Sequence, residues 1–218
     1  MEKLEYDKDN LLKQPWEHYL KEFQDSDPRD IAERTGFPYD EEQAAFTVTF
    51  WNSKYKVTWP DFEVSHLPDD AGYYPLEDMM KAKILTLRIL LRSTASQGTG
   101  TFKTYREMPW GEVYLRQFDG RCIKRLAFTY GNRLGDFVKI MDHIKAEQDG
   151  KTGDAAYKME VYPGYQVKMI LWAGDEEFPP ASQFLFSDNF PLGFEAEDIA
   201  QMGDILISSL KAWEKSVH

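Results

Sequence analysis

Cysteine is almost absent from this 218-residue chain: Cys122 is the only one. A single thiol forms no internal disulfide, supplies no four-cysteine zinc site and cannot ligate an iron–sulfur cluster alone. Histidine is scarce as well. His18, His66, His143 and His218 are the full set, and none of them stands at metal-ligand spacing, with neither His-Glu-x-x-His nor His-x-His present. Basic side chains are outnumbered, 26 against 37 acidic ones, for a net charge of −11. That deficit argues against a nucleic-acid binder, which needs a basic footprint, and against docking on an anionic membrane. Long apolar runs are missing too: the greasiest stretch, Leu76 to Leu91, is broken by Lys81, Lys83 and Arg88 and is no transmembrane helix. Met1-Glu2-Lys3-Leu4-Glu5 lacks the apolar centre of a secretion signal. No Gly-x-Ser-x-Gly elbow occurs, which speaks against an α/β-hydrolase. These absences give the expectation of a cytoplasmic protein whose partners include neither membrane nor nucleic acid.

What is present is core material. Hydrophobic residues make up 42% of the chain and aromatic residues 15%, so global disorder is excluded. A chain of this length can bury roughly 70% of its unfolded surface. Residues 7–35 read as helical. Leu11, Leu12, Trp16, Tyr19, Leu20 and Phe23 form a stripe in which Pro15 should kink the helix or start a new one. Asp27-Pro28 starts a second helix and Gly36 stops it. The period then changes: 46–51 and 55–59 alternate around Asn52-Ser53-Lys54 and predict a hairpin, with Glu63-Val64-Ser65 as a third short strand. Leu76 to Ser93 predicts one central helix, apolar around most of its girth. Ser96 to Thr101 carries a glycine pair that suits cap and turn chemistry better than a phosphate loop. Residues 112–147 are mixed helical, clearest from Arg133 to Ala146. Pro163-Gly164 predicts a type II turn between strands 156–162 and 166–172. Gln183 to Phe186 is a further strand and Glu195 to Lys215 an amphipathic helix. Helices and strands are segregated, which predicts an α+β fold with antiparallel hairpins packed on the central and C-terminal helices. No repeat or linker divides the chain, so residues 1–218 are expected to form one domain, with 1–36 as a helical N-terminal extension.

Two stretches combine groups capable of chemistry. In Tyr105-Arg106-Glu107-Met108-Pro109-Trp110 a donor, a guanidinium and a carboxylate lie beside aromatic rings. Such a set clamps an acidic ligand or stacks on a planar one, or else pins a loop through an Arg–Glu pair. Leu171 to Pro180 holds Trp172, a glycine, the three acids Asp175-Glu176-Glu177 and two prolines. In an extended chain Asp175 and Glu177 project to one side and can share a cation or a proton; the alternative is a solvated acidic loop. The candidate ligand-binding set is therefore Tyr105, Arg106, Glu107, Trp110, Trp172, Asp175 and Glu177. Cys122, between Arg121 and Lys124-Arg125, has cationic neighbours that depress a thiol pKa, although a lone cysteine is more often a packed small hydrophobe. His66, in a loop before Leu67-Pro68-Asp69-Asp70, is the one histidine outside a helix to watch.

Several of these segments together resemble a known family. Asp27-Pro-x-x-Ile-Ala-x-Arg-Thr-Gly36, the Thr47-x-Thr-Phe50 strand, Arg106-Glu107-Met108-Pro109, Gly153-Asp-Ala-Ala-Tyr157, Trp172-Ala-Gly-Asp-Glu-Glu-Phe-Pro-Pro180, Leu185-Phe186 and Glu197-Asp-Ile-Ala200 occur in that order. This succession resembles domain of unknown function 3786, a family of anaerobic bacteria and archaea without an established activity. Some members carry an additional iron–sulfur domain similar to that of corrinoid iron–sulfur proteins. The resemblance implies a role near corrinoid or one-carbon chemistry, with a corrinoid or other tetrapyrrole as cofactor and an iron–sulfur or corrinoid protein as partner. This chain lacks the cluster cysteines, so any cluster belongs to a partner. Three readings follow: a ligand- or cofactor-binding module, an interaction domain with an acidic face, and a carboxylate- or metal-dependent hydrolase.

Overall fold

The computed structural model describes residues 10–150 and 152–217. The fold is α+β. Helix α1 (Asn10–Asp25) continues through Pro15 instead of restarting there; its stripe of Trp16, Tyr19 and Leu20 rests on the core. The helical expectation for residues 7–9 and the inward placement of Leu11 lie outside what is described. Helix α2 (Pro28–Thr35) has the expected ends: the Arg29 N–H donates to the Asp27 carboxylate at 2.8 Å, and Gly36 closes the helix at φ +75°.

Strands β1 (Tyr39–Asp40), β2 (Ala45–Phe50), β3 (Ser53–Thr58) and β4 (Val64–His66) form an antiparallel sheet in that order. The turn is shorter than Asn52–Lys54. Phe50 pairs with Ser53, so only Trp51 and Asn52 remain, both at positive φ, which is the two-residue turn that follows the twist of a hairpin.

The expected helix from Leu76 to Ser93 is interrupted. It divides into a single turn, α3 (Pro75–Asp78), and α4 (Met80–Arg92), because Met79 is extended and its carbonyl accepts the first N–H groups of α4. The Met79 sulfur meets the Ser209 hydroxyl at 3.8 Å, a tertiary contact that periodicity does not report. Helix α4 is central as expected, packed on α1 and α2 and on the C-terminal helix α8 (Ala196–Trp213). After α4 the chain binds to Asp188, whose carboxylate accepts from the Thr99 N–H (2.9 Å) and hydroxyl (2.6 Å). The glycine pair is thus part of a turn satisfied from within.

Strand β5 (Phe102–Thr104) leads through a 3₁₀ turn into α5 (Gly111–Phe118), a π-helical turn at Asp119–Lys124 and α6 (Arg125–Tyr130). Helix α7 (Leu134–His143) is followed by β6 (Glu147–Gln148) and the hairpin β7 (Ala155–Tyr162) and β8 (Tyr165–Trp172). At the type II turn Gly164 sits at φ +82°, and a Cβ there would lie 1.9 Å from the Ser96 carbonyl oxygen, so only glycine is accommodated. With β9 (Ala181–Ser187) these strands form a second antiparallel sheet, ordered β5-β9-β8-β7-β6. The two sheets meet where the Trp51 N–H donates to the Val161 carbonyl and the Phe50 and Tyr162 rings lie 4.9 Å apart. Helix α8 buries Ile199, Met202, Leu206 and Trp213, and Trp213 reaches Trp51 at 5.3 Å, so one buried cluster joins both sheets.

Candidate functional site

A cleft of about 770 Å3 opens between the α5–π run and the end of the second sheet. Its construction begins at Thr104, where β5 stops. The Glu107 carboxylate accepts from the Thr104 N–H and hydroxyl, both at 2.8 Å, which closes the turn and holds that carboxyl below its usual range. Helix α5 then starts directly beneath the turn. A Cβ on Gly111 would fall 1.9 Å from the Tyr105 carbonyl oxygen, so glycine is required for this close approach. Tyr105 is consequently buried. Its ring stacks on Phe118 with centroids 4.0 Å apart, and its hydroxyl donates to the Ala196 carbonyl at 3.0 Å. Burial pushes its hydroxyl up to about 12. Phe118 in turn stands edge-on to Phe184 and Phe186 of β9. The Ser182 hydroxyl donates to the Ile123 carbonyl at 2.7 Å and ties β9 to the π turn.

The walls of the cleft are therefore apolar and aromatic, with Leu115, Phe118, Ile123, Trp172 and Phe184 prominent, and its charge is carried by Arg106, Glu112, Arg116 and Asp119. Arg106 donates to Glu112 at 2.9 Å, and Asp119 holds Lys124 at 2.8 Å. Both pairs are exposed, so neither adds much stability. Arg116 has no ion-pair partner among the described residues, leaving its guanidinium available.

Of the seven residues expected from the sequence, Tyr105, Arg106 and Trp172 line this cleft. Glu107 serves the turn. Trp110, 76% exposed, lies with Val113 and Tyr114 in a separate groove beside Pro191 and Phe194. Asp175 and Glu177 are elsewhere, and the expected extended geometry does not hold. The Asp175 carboxylate accepts from the Glu177 and Phe178 N–H groups at 2.8 and 2.7 Å, and the Asp175 N–H donates to the Phe178 carbonyl at 2.9 Å. An aspartate that can bond its own following backbone turns the chain, and the three acids face solvent. Among the described residues no group of three or more His, Cys, Asp or Glu side chains is arranged to hold a metal ion. The acidic residues at the start of α8 are engaged internally: Glu195 and Asp198 hold Arg88, and Glu197 holds Arg121.

Glu112, Leu115, Arg116, Asp119 and Ile123 were not singled out by sequence. They recur at helical spacing and form one face, a signal obscured when residues 112–147 are read only as mixed helix. Cys122 behaves as a packed hydrophobe. It is fully buried, burial outweighs the Arg121 charge, and the thiol is pushed up to about 12. His66 lies flat on Tyr74 at 3.5 Å and approaches Glu77 at 3.0 Å.

A family model described as Domain of unknown function (DUF3786) matches residues 27–209. The chain belongs to this family. The match starts at the cap of α2, ends in α8, and so takes in both sheets of the DUF3786 fold and every residue lining the cleft. No curated protein and no solved structure matches the chain. No described helix of this DUF3786 protein is long and apolar enough to cross a membrane.

Proposed function

We propose that this DUF3786 protein is a binding module for a small, planar, negatively charged molecule, held in the cleft between α5 and β9. One observation carries the reading: a guanidinium without a carboxylate partner, Arg116, stands over walls of aromatic and aliphatic side chains. A volume near 770 Å3 lies within the range of small-molecule sites, and apolar walls with a few polar groups are their usual composition. Arginine supplies both charge and a flat stacking surface for such a ligand. The buried cluster common to both sheets supports the chain acting as one unit, with the cleft on a rigid frame.

The family resemblance suggests a corrinoid or another tetrapyrrole. The cleft lining contains no histidine, cysteine or methionine, and the hydroxyl of its one tyrosine, Tyr105, is buried and donates to the Ala196 carbonyl, so none of these groups is placed to ligate such a metal. Calorimetric titration with 2-naphthoate tests the proposal. Binding that weakens about tenfold in Arg116→Ala, with an unchanged unfolding midpoint, supports it; absence of binding to the unmodified protein overturns it. The exposed groove at Trp110, Val113 and Pro191 favours a second reading, in which the protein docks the iron–sulfur or corrinoid partner implied by the family. Solvent-facing tryptophan and tyrosine are the residues from which interface hot spots are made. Trp110→Ser then eliminates association with that partner without shifting the midpoint; undiminished association removes the reading.

A further inference from the structure

We infer that the groove at Trp110 receives a cationic side chain, an arginine or a lysine, from a basic segment of the docked partner. The inference rests on the docking reading of that groove and specifies what the partner must present there.

Trp110 precedes α5 at φ +62°, a left-handed position that favours glycine, yet this bulky residue is 76% exposed. Strain held at a solvent-facing aromatic residue points to a use outside the fold. Tyr114 follows four residues on and is exposed as well. Among the described residues neither ring touches another ring or a cation, and neither the Trp110 indole N–H nor the Tyr114 hydroxyl has a hydrogen-bond partner.

The charge beside these rings has one sign. Glu195 and Glu197 line the groove, and no basic residue does. Arg88 and Arg121, which pair with the two glutamates, lie outside that lining. Their hold on the carboxylates is partial. Both contacts of Glu197, from Arg121 at 3.2 Å and from Gln201 at 3.1 Å, fall on Oε1, so Oε2 has no partner among the described residues. Arg88 is divided between Glu195 and Asp198. The N-terminus of α8 does not act as a competing anion site, since the Glu195 and Asp198 side chains cap it. Aromatic faces next to an unsatisfied carboxylate oxygen select a guanidinium or an ammonium. The rings attract the cation, the carboxylate accepts its N–H groups, and the apolar walls cover its aliphatic stem. An acidic segment would meet two carboxylates in the groove, and the net charge of −11 repels it at longer range.

The peptide acetyl-Ala-Leu-Arg-Leu-Ala-amide and its citrulline counterpart, equal in shape but uncharged, test the inference on the full chain. Nitrogen–proton NMR reads each titration at the Trp110 indole N–H, identified as the resonance missing in Trp110→Leu. We expect the arginine peptide to bind about ten times more tightly than the citrulline peptide. That preference should narrow in Glu197→Gln and at high salt. If the two peptides bind alike, or if the preference survives Glu197→Gln unchanged, the cationic inference falls and the groove stands as a purely apolar docking face. If neither peptide shifts the indole resonance, the inference also falls, and Trp110→Ser against the partner decides the docking reading by itself.

Discussion

The Tyr105 and Phe118 rings lie parallel, 3° apart in plane and 4.0 Å between centroids. This contact joins the turn that ends β5 to the last residue of α5, and both residues line the cleft. Removing the Phe118 ring leaves a cavity beneath Tyr105 and beside Phe184 and Phe186. Phe118→Ala is expected to cost about 3–5 kcal/mol in urea unfolding, and Tyr105→Phe, which deletes only the hydrogen bond to Ala196, about 1 kcal/mol. Equal losses in the two variants would show that the hydroxyl, not the stack, holds the turn.

Cys122 and Gly203 are matched by size. A Cβ on Gly203 would come 2.6 Å from the Cys122 sulfur, closer than real side chains approach. The Gly203→Ala substitution alone should destabilise by about 1–3 kcal/mol through overpacking. Combined with Cys122→Ala it should cost clearly less than the sum of the two single changes, since the atom responsible for the clash is gone. A double-mutant cycle in urea measures that coupling, and strict additivity would refute it. Burial of the thiol, pushed up to about 12, further predicts that Cys122 reacts with thiol reagents only on unfolding.

Asp198 supplies a pH dependence. Its carboxylate lies 3.1 Å from Arg88 and accepts the Glu195 N–H, yet burial outweighs both and raises the carboxyl from 3.8 to about 6. A group raised on folding stabilises the fold fully below its unfolded value, here about 4, and this contribution is lost as pH rises through 6. The difference amounts to about 3 kcal/mol between protonation states. The midpoint should therefore fall as pH rises from about 4 to about 6, and Asp198→Asn should flatten that slope. Asp204 is opposite in sense. Burial opposes its ionisation, but Lys81 and Arg125 prevail and hold it below the usual range, so its contribution is lost only in stronger acid. An unchanged slope in Asp198→Asn would assign the midpoint shift to other groups.

Most of the fold was legible because its local signals are strong: Asp27-Pro28 with Gly36, Pro163-Gly164, and the alternation in β2, β3, β7 and β8. The departures come where tertiary contacts decide. Met79 breaks a helix that periodicity would continue, since its side chain is taken up by α8. The cleft was legible only in part. Tyr105, Arg106 and Trp172 are unusual within their own stretches, whereas Arg116 and Gln183 gain meaning only when α5 is laid against β9. The Asp175–Glu177 run misleads because composition shows three acids but not the turn that one of them makes.

That turn gives an asymmetric prediction. The Asp175 side chain accepts two backbone N–H groups, while Glu177 contributes only its own N–H to the turn. Asp175→Ala should lower stability by about 1 kcal/mol, a size set by hydrogen bonds at an exposed site. Asp175→Asn keeps an acceptor oxygen and should recover most of that loss, and Glu177→Gln should be neutral. A pair of carboxylates sharing a cation predicts a different pattern, in which Asp175→Asn and Glu177→Gln are equivalent and both abolish any stabilisation by Mg2+ or Ca2+. Unfolding midpoints of the three variants, with and without those ions, separate the two arrangements. Equivalence of Asp175→Asn and Glu177→Gln in the presence of metal would restore the shared-cation site.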